Sequence, residues 1–125
     1  MGAERAVLEI PGDTAHVQLA RLVAAGLAGR LEFDVDEIED LRIGVDECCV
    51  AVLDCAARNV PLRLVYTWTD DELRLEGSVA ANGSGQPEVS GITTQILSAV
   101  LDDVRFDSAP GAVCFELRKR RHAGS

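Results

Sequence analysis

The chain has 125 residues, a formal net charge of −9 and 47% apolar residues, which fits one small domain with a single core. An acidic chain without a basic face argues against a nucleic-acid binder. Charged residues interrupt the longest apolar stretches, so we expect no membrane span. The N-terminal residues lack a basic region followed by an apolar one, so we predict no secretory signal and expect the protein in the cytoplasm.

The first half of the chain predicts one strand and two helices. Residues 5–10 alternate in polarity and predict a strand that ends at Pro11-Gly12. Asp13 or Thr14 can cap a helix over about 15–29. Asp34 or Asp36 can begin a second helix that runs to about residue 57. Its core-facing stripe recurs at three- and four-residue steps: Ile38, Leu41, Val45, Cys48, Val52 and Cys55.

The second half predicts four strands and a third helix. Residues 62–69 and 72–80 form a hairpin, and 81–90 form a glycine-rich connection. A helix follows over about 91–102, and strands over 104–107 and 112–119 complete the order β-α-α-β-β-α-β-β. Grouped strands with helices between them predict an α+β sandwich, one sheet covered on one face by helices. The domain is expected to span residues 1–120, and residues 121–125 a flexible tail.

The four cysteines do not have the spacing of a zinc site, so we predict no metal. Cys48, Cys49 and Cys55 fall in one predicted helix, and Cys48 and Cys49 are adjacent and point in different directions. We interpret them, with Cys114, as small buried apolar residues in a reduced compartment. A metal or redox role is the alternative.

The helix IEDLRIGVDECCVAVL at 38–53 resembles the N-box helix of the GHKL ATPases. In that helix a Glu and an Asn stand four residues apart and so share one face. The Glu orients or deprotonates the attacking group, and the Asn oxygen helps to hold magnesium. By this resemblance Glu47 stands at the Glu position, as a vestigial general base. Ala51 stands at the Asn position, where it removes a magnesium ligand.

Two further segments resemble the glycine boxes of the same ATPases. VAANGSG at 79–85 is similar to the Asp-x-Gly-x-Gly box, whose Asp contacts the adenine. Gly83 and Gly85 keep the glycine spacing, but Ala81 replaces the Asp. In the segment 89–119, Gly91 matches the first glycine of the second box, and Thr93 replaces the second glycine. Only three residues separate Gly85 from Val89, so the ATP lid of the family is expected to be missing.

Together these segments resemble the RsbW/SpoIIAB-type anti-sigma serine kinases, and the LRIGVDECC helix is similar to that of an actinobacterial subgroup. The resemblance implies a two-layer Bergerat (histidine-kinase ATPase-like) fold, with a mixed or antiparallel sheet covered on one face by three helices. Leu19-Ala20-Arg21 aligns with a motif whose arginine contacts both the sigma factor and its antagonist. Arg21 is therefore the predicted partner-binding residue.

The resemblance implies a homodimeric anti-sigma factor of a stress response. Such a protein sequesters an alternative sigma factor and is relieved by a STAS-type anti-anti-sigma protein. With Ala51, Ala81 and a missing lid, no cofactor is expected, although residual binding of ATP or ADP with magnesium remains an alternative. An active ATP-dependent serine kinase that uses Glu47 as base is the second hypothesis. A pseudo-kinase subunit that pairs with an active paralogue is the third.

Each of these residues also has an ordinary structural interpretation. Glu47 beside Asp46 can be a solvated charge, and Arg21 an ordinary surface arginine. Gly83 and Gly85 can be turn glycines. Gly44, in mid-helix, can make room for a ligand or for close helix packing, and packing is the favoured alternative. The basic run 118–121 is interpreted as a solvated strand end.

Overall fold

The computed structural model describes residues 4–82 and 86–122. In this part of the chain five strands and three helices follow the predicted order. The strands are β1 (Glu4–Pro11), β2 (Pro61–Trp68), β3 (Glu72–Ala80), β4 (Asp103–Ala109) and β5 (Ala112–Arg120). The helices are α1 (Val17–Arg30), α2 (Val35–Leu53) and α3 (Gly91–Val100), and a 3₁₀ turn at Thr14–His16 precedes α1.

The strands form one sheet in the order β1-β2-β3-β5-β4. Every neighbouring pair is antiparallel, so of the two predicted sheet types the antiparallel one is present. Side chains alternate between the faces of a strand, and on β2, β3 and β5 alternate residues are buried against the helices. The fold is therefore the predicted α+β sandwich, with a helical layer on one face. We call the other side of the sheet the open face.

Two of the three helices end earlier than predicted. The second helix ends at Leu53, four residues before the predicted end, because the backbone N–H of Ala57 donates to the Ala80 carbonyl at 2.9 Å. The third helix ends at Val100, since Leu101 has extended dihedrals. At the other end of α2, Asp34 and not Asp36 is the cap. It forms a reciprocal capping box with Glu37.

The buried core lies between the helices and the sheet. Tyr66 of β2 is fully buried, and its hydroxyl donates to the Ala20 carbonyl of α1 at 2.9 Å, so its one polar group is satisfied. The basic run was expected to be solvated, but Lys119 is 6% exposed. Its Nζ donates to the Val100 carbonyl at 2.8 Å and lies 3.6 Å from an Asp40 carboxylate oxygen. Those two oxygens satisfy a buried cation at the end of α3.

Two residues of the predicted tail are attached to the domain. The backbone N–H of Arg121 donates to the Asp71 carbonyl at 2.7 Å. The backbone N–H of His122 donates to the carboxylate of Glu37 at 2.7 Å. Because Glu37 also belongs to the capping box of α2, the end of β5 and the start of α2 share one carboxylate.

Candidate functional site

One face of α2 carries the residues that the nucleotide hypothesis depends on. Gly44, Glu47 and Ala51 follow one another at three- and four-residue steps, so they face the same side of the helix. Gly44 is the first of them. A Cβ atom at this glycine would lie 2.6 Å from Cδ2 of Leu101. The missing side chain at Gly44 therefore lets Leu101, the residue after α3, pack against α2. Of the two alternatives, this is close packing and not room for a ligand.

The structure places Glu47 beside the first turn of α3. The Thr93 hydroxyl donates to a carboxylate oxygen of Glu47, with 3.4 Å between the two oxygens. Ser90 caps α3 by accepting from the Thr93 backbone N–H at 3.1 Å, and its hydroxyl also donates to the Thr93 hydroxyl oxygen at 3.1 Å. Thr93, which replaces a box glycine, thus gives the half-buried Glu47 a protein partner. The start of α3 is tied to α2 by side chains.

The other two replaced positions offer only methyl groups. Ala51 is buried within α2, at 8% exposure. Ala81 forms an isolated bridge with Ala56, and its backbone N–H donates to the Gly111 carbonyl at 3.0 Å. A methyl group can neither ligate magnesium nor hydrogen-bond a base. Ala51 lies in the last turn of α2 and Ala81 pairs with Ala56 just after that helix, and neither side chain has a polar group to offer a nucleotide.

The glycines of the two boxes are placed only in part. Gly83 and Gly85 lie outside the described residues. Gly91 is the first residue of α3 and is exposed, and a Cβ atom added there would meet nothing within 4 Å. The fold around Gly91 therefore does not require a glycine, so steric need does not explain this residue.

Arg21 forms an ion pair with Asp46 of α2. Both side chains are about one-third exposed, so the pair sits at the outer surface of the α1–α2 hairpin. Leu19 and Leu22 are exposed on either side of Arg21 in the sequence, and Ile43 is exposed one turn before Asp46. The charge of the predicted partner residue is thus balanced from within the protein.

Two of the four cysteines are fully buried, as the sequence interpretation requires. Cys48 and Cys49 are fully buried in α2, and Cys55 and Cys114 are half-buried. Burial raises the pKa of the Cys49 thiol to about 12 and raises that of Cys48 further still. Such thiols are not nucleophiles at neutral pH. Cys55 was predicted to lie in α2 but follows the end of that helix.

No group of three or more metal-binding side chains occurs among residues 4–82 and 86–122.

Three contacts at this site did not follow from the sequence pattern. Thr93 was noted only as a lost glycine, although a Ser directly before a helical run, here Ser90, is a typical N-cap that accepts from the backbone N–H of the third helical residue. Asp46 was considered only as the neighbour of Glu47, and Lys119 as part of a solvated strand end. The signal for Lys119 was its alternation with Phe115 and Leu117 on the buried side of β5.

Part of the sequence is similar to that of known proteins. The chain is 34% identical over 80 residues to proteins named serine-protein kinase RsbW from Bacillus thuringiensis (strain Al Hakam), Bacillus cereus (strain AH820) and Bacillus anthracis. The five-stranded sheet, the three helices and their order agree with that relationship. Over these 80 residues the chain resembles the serine-protein kinase RsbW proteins.

The similarity covers only part of this chain and part of its relatives. The matched stretch is 64% of this chain, and it corresponds to half the length of the RsbW proteins. No protein-family profile matches the chain. None of the helices in its described part is long and apolar enough to cross a membrane.

Proposed function

We propose that this RsbW-like protein is a cytoplasmic anti-sigma factor that acts by binding alone. It sequesters an alternative sigma factor of a stress response, and a STAS-type anti-anti-sigma protein releases that factor by competing for the same surface. The observation that carries the proposal is an RsbW-like fold with methyl groups at Ala51 and Ala81. Phosphoryl transfer depends on magnesium and on positioning of the phosphates. With these two residues the chain lacks the side chains for both tasks.

The Glu47–Thr93 contact supports the same proposal. A general base must reach the proton of the attacking group within hydrogen-bonding distance. Here the Glu47 carboxylate accepts from a threonine of its own chain, and Thr93 stands where the family has a glycine. The relatives are named serine-protein kinases. An active kinase therefore remains the second candidate function, and nucleotide binding distinguishes the two.

Calorimetric titration with Mg-ATP and Mg-ADP tests whether the protein binds the nucleotide that phosphoryl transfer requires. We expect no heat of binding at millimolar nucleotide, because Ala51 cannot ligate magnesium and Ala81 cannot hydrogen-bond the adenine. The double variant Ala51→Asn, Ala81→Asp serves as the control and shows whether the pocket accepts a nucleotide once the polar groups are present. Micromolar, magnesium-dependent binding to the unaltered chain that weakens in Glu47→Ala would contradict the proposal and favour the kinase.

Transcription by reconstituted RNA polymerase tests the sequestration itself. Each alternative sigma factor of the source genome is added with core polymerase, with and without the protein, in the absence of ATP. We expect transcription with one sigma factor to fall in proportion to the added protein. A STAS-type protein of the same genome should restore it. If no sigma factor were inhibited, or if inhibition appeared only after ATP was added, the proposal that the protein acts by binding alone would be contradicted.

Arg21 can be tested separately because Asp46 offers a matched comparison. We expect Arg21→Gln to weaken sigma binding about 30-fold, the effect of losing a hot-spot residue. The variant Asp46→Asn removes the same internal ion pair but leaves Arg21 in place. It should bind as well as the unaltered chain or better. Arg58→Gln, at an exposed position after α2, should change nothing.

Affinity is measured by fluorescence anisotropy with labelled sigma factor. Equal losses in Arg21→Gln and Asp46→Asn would show that Arg21 acts by joining α1 to α2. In that case Arg21 is a structural residue and not a partner contact.

A further inference from the structure

The strand β1 forms one edge of the sheet, and the backbone groups along its outer side have no strand to pair with. It pairs with β2 in an unbroken one-to-one register from Glu4 to Pro11, so no bulge bends it. In the described part of the chain no strand lies on its other side. A straight edge of this length presents a row of N–H and C=O groups that can pair with a further strand.

The open-face side chains of β1 are a cation, an apolar residue and an anion: Arg5, Val7 and Glu9. Val7 is 50% exposed. Among residues 4–82 and 86–122, neither Arg5 nor Glu9 has an ion-pair partner. Glu9 is in register with Arg63 of β2, but their side chains form no ion pair. Both ends of β1 therefore carry a charge that the domain itself does not pair.

The other edge strand, β4, has its charges paired. A carboxylate oxygen of Asp103 lies 3.0 Å from a guanidinium nitrogen of Arg118, and Arg105 pairs with Glu116. Both partners belong to the neighbouring strand β5. Unpaired charges at an edge thus distinguish β1 from β4.

We propose that β1 pairs antiparallel with β1 of a second copy of this chain, around a two-fold axis at Val7. The two five-stranded sheets then join edge to edge into one. At this register Val7 lies opposite Val7 of the second copy. Arg5 lies opposite Glu9 of the second copy, and the two-fold axis repeats that pair on the other side. Cross-strand pairs of opposite charge stabilise such an arrangement.

Charge selects this register. Opposed residues of an antiparallel pair share one face of a sheet, so the register can shift only in steps of two residues. A shift of one step in either direction places Val7 opposite Arg5 or Glu9 and leaves the other charge without a counter-charge. An in-register parallel arrangement would place each charge beside its own copy.

The helical side of β1 is compatible with the same register. Ala6 and Leu8 point to that side and are only half-buried in the single chain. With Val7 on the axis, Leu8 lies opposite Ala6 of the second copy. A large and a small apolar side chain then cover one another, which removes apolar surface from water.

Sedimentation velocity of charge-reversal variants tests the pairing. The variant Arg5→Glu places two carboxylates opposite each other at both ends of the paired strands. We expect its dimer dissociation constant to rise about tenfold, and that of Glu9→Arg to rise similarly. The control is Arg105→Glu, which has the same net charge as Arg5→Glu but lies exposed on the other edge strand. It should leave the dimer unchanged.

A mixture of Arg5→Glu and Glu9→Arg is the sharpest measurement. Each variant is repelled by its own copy, but each carries the charges that complement the other. Mixing should therefore restore dimers with the affinity of the unaltered chain. The double variant Arg5→Glu, Glu9→Arg should also dimerise as the unaltered chain does, which shows that the single variants remain folded.

A cysteine at the axis tests the register. Opposed Cα atoms of an antiparallel pair are about 4.5–5.5 Å apart, which suits a disulfide. Mild oxidation of Val7→Cys should therefore give more linked dimer than the unaltered chain gives. Glu9→Cys is the matched control, because Glu9 of the second copy lies four residues along the strand, about 13 Å away.

The inference would be overturned by a chain that stays monomeric at about 100 µM, where even a small interface of this kind should form. Equal weakening by Arg5→Glu and Arg105→Glu, no recovery on mixing, or equal crosslinking at positions 7 and 9 would also overturn it. None of these measurements contains a sigma factor. Their failure therefore leaves the proposed function standing, and failure of the sigma experiments leaves the dimer.

Discussion

The same substitution, glycine to alanine, is expected to have opposite effects at two positions inside helices. Gly26→Ala should raise the free energy of unfolding by about 1 kcal/mol, because alanine has the higher helix propensity and a Cβ atom there meets nothing within 4 Å. Gly44→Ala should lower it by about 1 kcal/mol. Its Cβ atom would lie 2.6 Å from Leu101 Cδ2 and 2.8 Å from Leu101 Cγ. Overpacking of a core costs about 1–3 kcal/mol, which exceeds the gain in propensity.

Urea unfolding followed by circular dichroism measures both effects. The variant Leu101→Val in the Gly44→Ala background is the control, because a smaller side chain relieves the contact. The double-mutant cycle should then show a coupling energy of about 1 kcal/mol or more between positions 44 and 101. If Gly44→Ala were as stabilising as Gly26→Ala, α2 and Leu101 would not be in close contact. The space beside Glu47 would then be open to a ligand.

A second large effect is expected above pH 9. The Cys49 thiol has an ordinary pKa of 9.0, which burial in α2 raises to about 12, and burial raises the pKa of Cys48 as well. Between pH 9 and 12 the unfolded chain loses thiol protons that the folded chain keeps, so stability falls as pH rises. Each thiol contributes up to about 1.4 kcal/mol per pH unit. The two together should remove more than 2 kcal/mol per unit.

Urea midpoints at pH 7.5, 9, 10 and 10.5 measure this slope. The variant with alanine at both Cys48 and Cys49 should be less stable at pH 7.5, because buried volume is lost, but its stability should fall less steeply above pH 9. Tyr66 keeps part of the slope, since burial also raises the pKa of its hydroxyl. An unchanged slope in the double alanine variant would show that other groups cause the alkaline transition.

The sequence predicted the elements well where one face of each is buried. The stripe of Leu41, Val45, Cys48 and Val52 predicted α2, and all four are fully buried. The end of α2 was placed too late because residues 54–57 have no sequence signal against helix. A tertiary hydrogen bond from Ala57 to Ala80 of β3 ends the helix there. Contacts of this kind between distant residues are invisible to local periodicity.

The candidate site was predictable in its positions but not in its contacts. Helix spacing placed Glu47 and Ala51 on one face, and the structure agrees. The hydroxyl of Thr93 reaches Glu47 across 46 residues of sequence. The ion pair of Arg21 with Asp46 likewise joins two different helices. The pairing of polar groups depends on how helices dock, and a single sequence does not specify that.

Lys119 has a practical consequence for the search for partners. It is the single lysine among twelve basic residues, and its ammonium group is enclosed between the Val100 carbonyl and Asp40. Amine-directed crosslinkers will therefore find no exposed lysine side chain, even in a complex that forms fully. Reagents that couple carboxylates to a partner's lysines match the exposed acidic side chains of α2 instead, such as Asp36 and Glu39. A blank result from lysine crosslinking is no sign that this protein acts without a partner.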